Sequence, residues 1–409
     1  MNLGEVFEML VGNDAGVAFS AYDGSSVGDP DSDIKVEVRS PKAVGAFMSA
    51  PGQLGIARAY VHGEIEIHGD MYEAFDRLYS NRRMPSAKES VALLRDLGPY
   101  AIKRVPPPPE EVKLGGRLHG KRRDAEAISH HYDVSNTFYE WLLGPTMAYT
   151  CAVFPKVDST LEEAQDEKFD LVCRKLGLRS GMRLLDVGCG WGGMTRHAAK
   201  HYGAQVIGVT LSKQQAFWGQ QMLEREGLSG SAEIRAGDYR DVPESGFDAV
   251  SSIGLTEHIG RSQYDNYFSY LRSKMTPEAR LLNHCITRTD TKARTKTSRG
   301  FINRYIFPDG ELVHVGHLID HMEQQHLEVQ HEENLREHYA MTLRDWSRNL
   351  DEHWDESVAE IGLRKARVWR LYLNASRWGF ANNVIQLHQV LATRTEKNGD
   401  SGMPLRPDW

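Results

Sequence analysis

The stretch Arg183–Gly193, reading RLLDVGCGWGG, constrains the fold more tightly than any other part of the chain. Leu184, Leu185 and Val187 form a short apolar run of strand type. Gly188, Gly190, Gly192 and Gly193 then turn the backbone into a helix expected to run to Tyr202. A glycine turn between a buried strand and a helix is the first crossover of an α/β nucleotide-binding sheet, where a ligand can lie against bare backbone.

The residues around the glycines narrow the choice of ligand. A phosphate-cradling loop continues with Gly-Lys-Ser/Thr, whereas this chain reads Trp191-Gly192-Gly193-Met194. A dinucleotide site places an acid about 20 residues on, at the end of the second strand, to hold a ribose. Here that strand, Ala204–Val209, runs into Thr210-Leu211-Ser212-Lys213. S-adenosylmethionine (SAM) is a sulfonium cation with an amino-acid tail. It needs a close backbone, a nearby carboxylate such as Asp186, and a hydrophobic wall to which Trp191 can contribute. SAM is therefore the favoured ligand, the alternative being a glycine turn that serves only helix–strand packing.

The alternation around this turn is regular. Strands are expected at Met182–Val187, Ala204–Val209, Ala232–Arg235, Phe247–Ile253 and Ala279–Thr287, with helices at Gly193–Tyr202, Lys213–Arg225 and Ser262–Lys274 between them. Two further strands, Glu328–Asn334 and Val384–Thr393, flank helices at Leu343–Trp354 and Val358–Trp378. The fold class is α/β: a doubly wound, seven-stranded, Rossmann-like sheet that binds ligands outside its strands' carboxyl ends. An aromatic-rich helical cap from Asp124 and a helix at Leu161–Leu176 precede it. Arg364, Lys365, Arg367 and Arg370 read as a solvated helix face.

Residues 1–104 read as a small α+β domain for packing, dimerisation or lipid presentation, with a strand at Asp33–Ser40. Helices are expected at Pro41–Ala50, Gly52–Tyr60 and Met71–Tyr79, and a hairpin or edge strand in Ala59–Asp70. Residues 105–123 form a linker. Pro106–Pro109 would stiffen it, and Arg117, Lys121, Arg122 and Arg123 make a basic patch that is either a solvated face or a contact for anionic lipid head groups. The larger, sheet-bearing domain then spans 124–409, with an insertion near 288–325 over the ligand site. Its Arg288–Arg304 stretch carries six basic residues and one acid.

A net charge of −7 over 409 residues argues against general nucleic-acid binding. The N-terminus MNLGEVFEML is acidic where a signal peptide would be basic, and no apolar run suits a membrane span. A cytoplasmic protein is expected. The four cysteines are far apart and lack zinc spacing, so no metal site is expected.

Eight motifs occur in order: YTCAVFP around Cys151, the glycine turn, GVTLSKQQ, GDYRD, SSIGLTEHIG, LLNHCI, FINRYIFPDGEL and HYAMTLRDW. Together, over about Ile128–Thr393, they resemble the cyclopropane-fatty-acyl-phospholipid synthase family, which includes the mycolic acid cyclopropane synthases and related SAM-dependent fatty-acid methyltransferases. The N-terminal domain resembles, more weakly, the lipid-handling domain of phospholipid-acting members. The resemblance implies a substrate of unsaturated phospholipid acyl chains, held in the 288–325 insertion, and peripheral association with the inner face of the membrane. A homodimer and a reductase partner are compatible with it. It also implies that SAM is held by Tyr149, Thr150, Gly188, Gly190, Trp191, Thr210, Leu211, Gln215, Asp238, Tyr239 and Gly254.

In that family a bound bicarbonate ion acts as the base. The matching cage here is Cys151, Glu257, His284, the backbone of Ile286, and Tyr339. Methyl transfer to a cis double bond leaves a carbocation that aromatic faces can stabilise, and Phe154, Tyr264, Tyr305 and Phe307 are candidates. Two residues depart from the common pattern: Thr256 precedes Glu257 where Phe is usual, and Asn283 precedes His284 where an apolar residue is usual. These departures bring the chain closer to the methylene-forming branch, makers of the 10-methylstearate precursor, than to cyclopropane formers; the alternatives are neutral drift within a cyclopropane synthase and a methyltransferase of soluble small molecules.

Overall fold

The computed structural model describes residues 1–50, 52–83, 85–97, 105–112, 120, 123, 135–291 and 300–409. The chain divides into two compact units. One comprises Met1–Lys113, Ser298–Pro308 and Leu350–Trp378; the other comprises Leu114–Thr297, Asp309–Asn349 and Gly379–Trp409. From sequence, all residues after 124 were assigned to one domain.

In the first unit, β1 (Ala18–Ala21), β2 (Ser26–Val27), β3 (Lys35–Val38) and β4 (Ile65–His68) form a sheet in the order β2-β1-β3-β4. Val17, Phe19, Ile34, Val36 and Ala74 fill its core. The helix Gln53–Val61 runs into the stretch expected to be extended, so only β4 is strand, and it lies at the sheet edge. Residues 105–112 pack into this unit: the Arg58 guanidinium grips Glu111 with two bonds of 2.9 Å, and Val112 N–H donates to Arg304 O. Arg367 is no solvated residue. Its guanidinium is buried, bonded to Glu66 and to the carbonyls of Tyr60 and Ile65, because the sheet edge offers acceptors that only a forked cation can satisfy together.

In the second unit, β5 (Arg183–Val187), β6 (Gln205–Thr210), β7 (Ala232–Ala236), β8 (Phe247–Ile253), β9 (Met275–Arg288), β10 (Glu328–Asn334) and β11 (Ile385–Thr393) form the seven-stranded sheet. Its order is β10-β11-β9-β8-β5-β6-β7. The pairs among β9, β8, β5, β6 and β7 are parallel, while β11 runs antiparallel to both neighbours. Strands covered on both faces need apolar side chains on both, which accounts for Leu184, Leu185 and Val187 in β5, whereas β8 buries Ser251 and Ser252 beside Ala249, Val250 and Ile253. β9 begins earlier than its sequence suggests. Pro277 falls where the β8–β9 register shifts, and such an irregularity tolerates a residue without a backbone N–H. The helix Leu161–Leu176 is delimited by a Thr160/Glu163 capping box and a left-handed Gly177. Among the described residues, no helix is long and apolar enough to cross a membrane.

Candidate active site

Strand order reverses between β5 and β8, and the carboxyl ends of two such strands leave a crevice between the loops that follow them. Gly188 and Gly254 stand at those ends, and the crevice opens into a cavity of about 320 Å³. Its walls include Gly188, Gly190, Thr210, Leu211, Gln215, Asp238, Tyr239 and Gly254, all nominated from sequence. Leu255, Ile259 and Tyr270 add an apolar side that the motifs did not reveal. Gly190 has φ +55°, and among the described residues a Cβ there would meet only Gln215 Nε2, 4.0 Å away, so its backbone faces the cavity. Thr210 Oγ1 donates to Gln215 Oε1 (2.8 Å), which aims the Gln215 amide nitrogen toward that space. The Asp238 carboxylate is engaged by Arg240 through the backbone N–H (2.9 Å) and the guanidinium (2.7 Å).

Four nominated residues do not line this cavity. Asp186 is buried, and its two oxygens accept from Ser251 Oγ (2.8 Å) and Thr195 Oγ1 (2.9 Å), tying β5 to β8 and to the following helix. Burial raises its pKa. Trp191 Nε1 donates to Asn136 Oδ1 (3.0 Å) and its ring lies 4.7 Å from Tyr139. The Tyr149 ring sits 5.3 Å from Trp346. Thr150 is adjacent to the cavity, since a Cβ on Gly254 would come within 3.1 Å of its methyl group.

A second group of side chains gathers beside the crevice. The short helix Thr256–Ile259 follows Gly254, whose N–H donates to His284 O (2.8 Å). Glu257 Oε1 accepts from Ile286 N–H (2.6 Å), while Glu257 Oε2 is buried with no partner among the described residues. Burial pushes the Glu257 pKa up to about 7, against the pull of the Ile286 N–H. His284 Nδ1 meets Gln389 Nε2 at 3.2 Å, and His284 Nε2 is likewise buried with no partner among the described residues. Burial, reinforced by Lys168 and Lys175, holds His284 well below its ordinary pKa, hence neutral. The Cys151 thiol donates to Ala152 O (3.2 Å) and Leu335 O (3.7 Å), and burial pushes its pKa up, so it is no thiolate. Tyr339 N–H also bonds Leu335 O (3.1 Å), so one carbonyl links Cys151 to the helix that carries Tyr339.

The sequence reading missed Lys168. It is fully buried, donates to Thr150 Oγ1 (2.8 Å), and burial lowers its pKa to about 7. Its signal was available: Leu161, Lys168 and Lys175 are seven apart on the buried face of one helix, where lysine is out of place.

The model of the mycolic acid cyclopropane synthetase family matches residues 119–390. The chain belongs to that family. It is 53% identical over 403 residues to a probable fatty acid methyltransferase of Mycobacterium tuberculosis, covering 96% of this chain and 94% of the relative. It is 36% identical over 282 residues to the cyclopropane-fatty-acyl-phospholipid synthase of Escherichia coli, covering 69% and 71% respectively. The solved mycolic acid cyclopropane synthase CmaA1, in complex with SAH and CTAB, superimposes with a TM-score of 0.62 at 32% identity, covering 66% of this chain and 97% of that one. The protein is a SAM-dependent methyltransferase of the cyclopropane synthetase family.

Within this family member, the two departures meet: Thr256 Oγ1 donates to Asn283 Oδ1 (2.5 Å), and both residues are buried. The aromatic candidates need correction. Tyr264 packs into the core against Phe268 and His321, and Phe154 stacks on His338, because each faces a helix and not the crevice. Tyr305 and Phe307 belong to the other unit. Instead, a continuous run of rings links Trp191, Tyr139, Tyr149, Trp346, Tyr339 and Phe380 at centroid spacings of 4.4 to 6.1 Å. Arg123 does not present a free charge, since Asp309 holds it through bonds of 2.7 and 2.8 Å. Arg117, Lys121 and Arg122, and most of the basic part of the insertion, lie outside the described residues.

Proposed function

We propose that this enzyme methylates the cis double bond of unsaturated fatty acyl chains on membrane phospholipids and releases a methylene-branched chain, the 10-methylene precursor of a 10-methyl chain. The observation that carries this reading is a pair of buried polar atoms, Glu257 Oε2 and His284 Nε2, that have no partner among the described residues and are joined through β9 and Gly254 to the crevice. Buried polar groups are almost always satisfied, so two orphans together mark a place for a small polar group. Glu257 Oε2 offers an acceptor and a neutral imidazole N–H offers a donor. Bicarbonate, which has both a hydroxyl hydrogen and acceptor oxygens, fits that pair.

When bound, SAM supplies an electrophilic methyl group and bicarbonate supplies a weak base. The chain's own residues hold these in place. Gly188, Gly190, Thr210, Leu211, Gln215, Asp238, Tyr239 and Gly254 would hold the SAM, with Tyr149, Thr150, Asp186 and Trp191 supporting that pocket. Glu257, His284, Ile286 N–H, Cys151 and Tyr339 would form the cage for the base. Once a methyl group has joined one alkene carbon, its neighbour is a cation. The Tyr149, Trp346, Tyr339 and Phe380 rings present π faces suited to that charge and exclude water from it. If a hydride first moves from the methylated carbon to its neighbour, loss of a methyl proton leaves an exocyclic methylene. Without that shift, the same loss closes a cyclopropane.

The methylene branch rests on the buried Thr256–Asn283 bond and on the fatty acid methyltransferase relative that spans nearly the whole chain. Cyclopropane formation is the second reading, favoured by the Escherichia coli relative. The chains would be reached from the inner membrane surface, and a separate reductase would convert the methylene to a methyl branch. Incubating the enzyme with SAM, bicarbonate and an oleoyl phospholipid decides the matter. Proton NMR of the recovered fatty esters should show vinylidene hydrogens; ring hydrogens at high field would establish the second reading, and unmodified lipid would remove both. His284→Ala should abolish product while SAM still binds.

A further inference from the structure

His284 is held from behind by a row of side chains that crosses three strands. In the β10–β11 and β11–β9 ladders, Glu333 pairs in register with Gln389, and Gln389 with His284. Directly opposed residues project to the same sheet face, so the three stand side by side. Lys175, from the helix Leu161–Leu176, reaches into this row with a fully buried side chain. Its ammonium pairs with Glu333 and donates to Gln389 Oε1 at 2.7 Å. Gln389 Nε2 faces His284 Nδ1 at 3.2 Å.

The chemistry of the four groups leaves one arrangement. A lysine ammonium is donor only, so the Gln389 oxygen must face Lys175. The Gln389 NH₂ group must then face His284, and since an amide nitrogen cannot accept, His284 Nδ1 must be the bare acceptor. A neutral imidazole carries its one hydrogen on the other nitrogen. That nitrogen, Nε2, is the buried one without a partner.

We propose that Lys175 and Gln389 are positioning residues that fix His284 as its Nε2–H tautomer, so that it presents a hydrogen-bond donor to the cage and does not serve as the base. Glu333 balances the buried ammonium. The inference rests on the cage reading above and assigns to His284 a defined role within it. It also accounts for the second buried lysine on a helix face otherwise rich in apolar residues.

The enzyme labelled with ¹⁵N-histidine tests this with Lys175, Gln389 and Glu333 all in place. The His284 signals, identified by their loss in His284→Ala, should show a protonated Nε2 and a bare Nδ1. Gln389→Glu replaces the donor by an acceptor of the same shape, so it should move the hydrogen to Nδ1. It should also lower kcat by roughly 100- to 10,000-fold, the range spanned by loss of one oxyanion donor and by tautomer inversion in other enzymes. The dissociation constant for SAM should stay within about twofold, because the cofactor crevice lies on other strands. Lys175→Met, which frees the amide to rotate, should lose the single tautomer. A wild-type His284 protonated at Nδ1, or a Gln389→Glu enzyme with unchanged tautomer and kcat, overturns the relay. Full activity in His284→Ala would instead sink the cage reading, whatever the tautomer.

Discussion

Glu257 and Ile286 are joined by a 2.6 Å bond from the Ile286 backbone N–H to one carboxylate oxygen, while the other oxygen is buried with no partner among the described residues. The bond sets the angle of the carboxylate, and burial raises its pKa to about 7. A site residue that is held firmly on one side and left unsatisfied on the other is costly to fold and is kept for what it binds.

Glu257→Gln should separate that cost from the function. The amide oxygen can still accept from Ile286, so the fold is preserved while product formation is lost. The parent favours the neutral acid in the folded state, so its stability falls as pH rises from the unfolded carboxylate range to about 7 and is then level. The variant lacks that loss. At pH 8 it should be more stable than the parent by up to about 3 kcal/mol, each tenfold preference for the neutral acid being worth about 1.4 kcal/mol. At pH 4 the two should match. Urea titrations at both pH values measure this, and equal stability at pH 8 contradicts the burial argument.

Activity should follow the same ionisation. Below about pH 7 Glu257 is protonated and its orphaned oxygen is no longer a full acceptor. At fixed bicarbonate concentration kcat/KM should therefore fall about tenfold per pH unit on the acid side and be flat above pH 8. A profile without an acid limb between pH 5 and 7 would show that Glu257 does not have to be ionised.

Gly190→Ala places a methyl group over the cavity where only Gln215 lies nearby. The left-handed backbone costs about 1–2 kcal/mol of stability with any L side chain. SAM binding should weaken by more than the same change at Gly227, whose φ is +70° and whose Cβ would meet nothing within 4 Å. Calorimetric titration of both variants with SAM compares them. Equal affinities would place the cofactor elsewhere.

Thr256 and Asn283 should behave as one unit. Thr256→Val keeps the shape but leaves Asn283 Oδ1 buried without its donor, at a cost of about 1–3 kcal/mol. Adding Asn283→Leu should recover part of that, since the two partners touch and their effects cannot be additive. The pair Thr256→Phe with Asn283→Leu should raise the cyclopropane share of the product. An unchanged product ratio removes the reason to connect this bond with methylene formation.

Much of this molecule is legible in the linear sequence because its signals are local. The glycine turn, the apolar residues of β5 and the residues closing the strands depend on neighbours within a few positions, and eight cavity residues fall on ordered motifs that the family resemblance assigned to SAM. Other features required the chain to be folded. Lys175, Gln389 and His284 are up to 214 positions apart, and only the β10-β11-β9 ladder sets them in a row. Arg367 reads as a surface charge until the edge of a distant sheet supplies its acceptors. Sequence determines which strands and turns can form. Tertiary packing alone decides which polar groups find partners, because satisfaction of a buried donor or acceptor depends on what other segments bring to it.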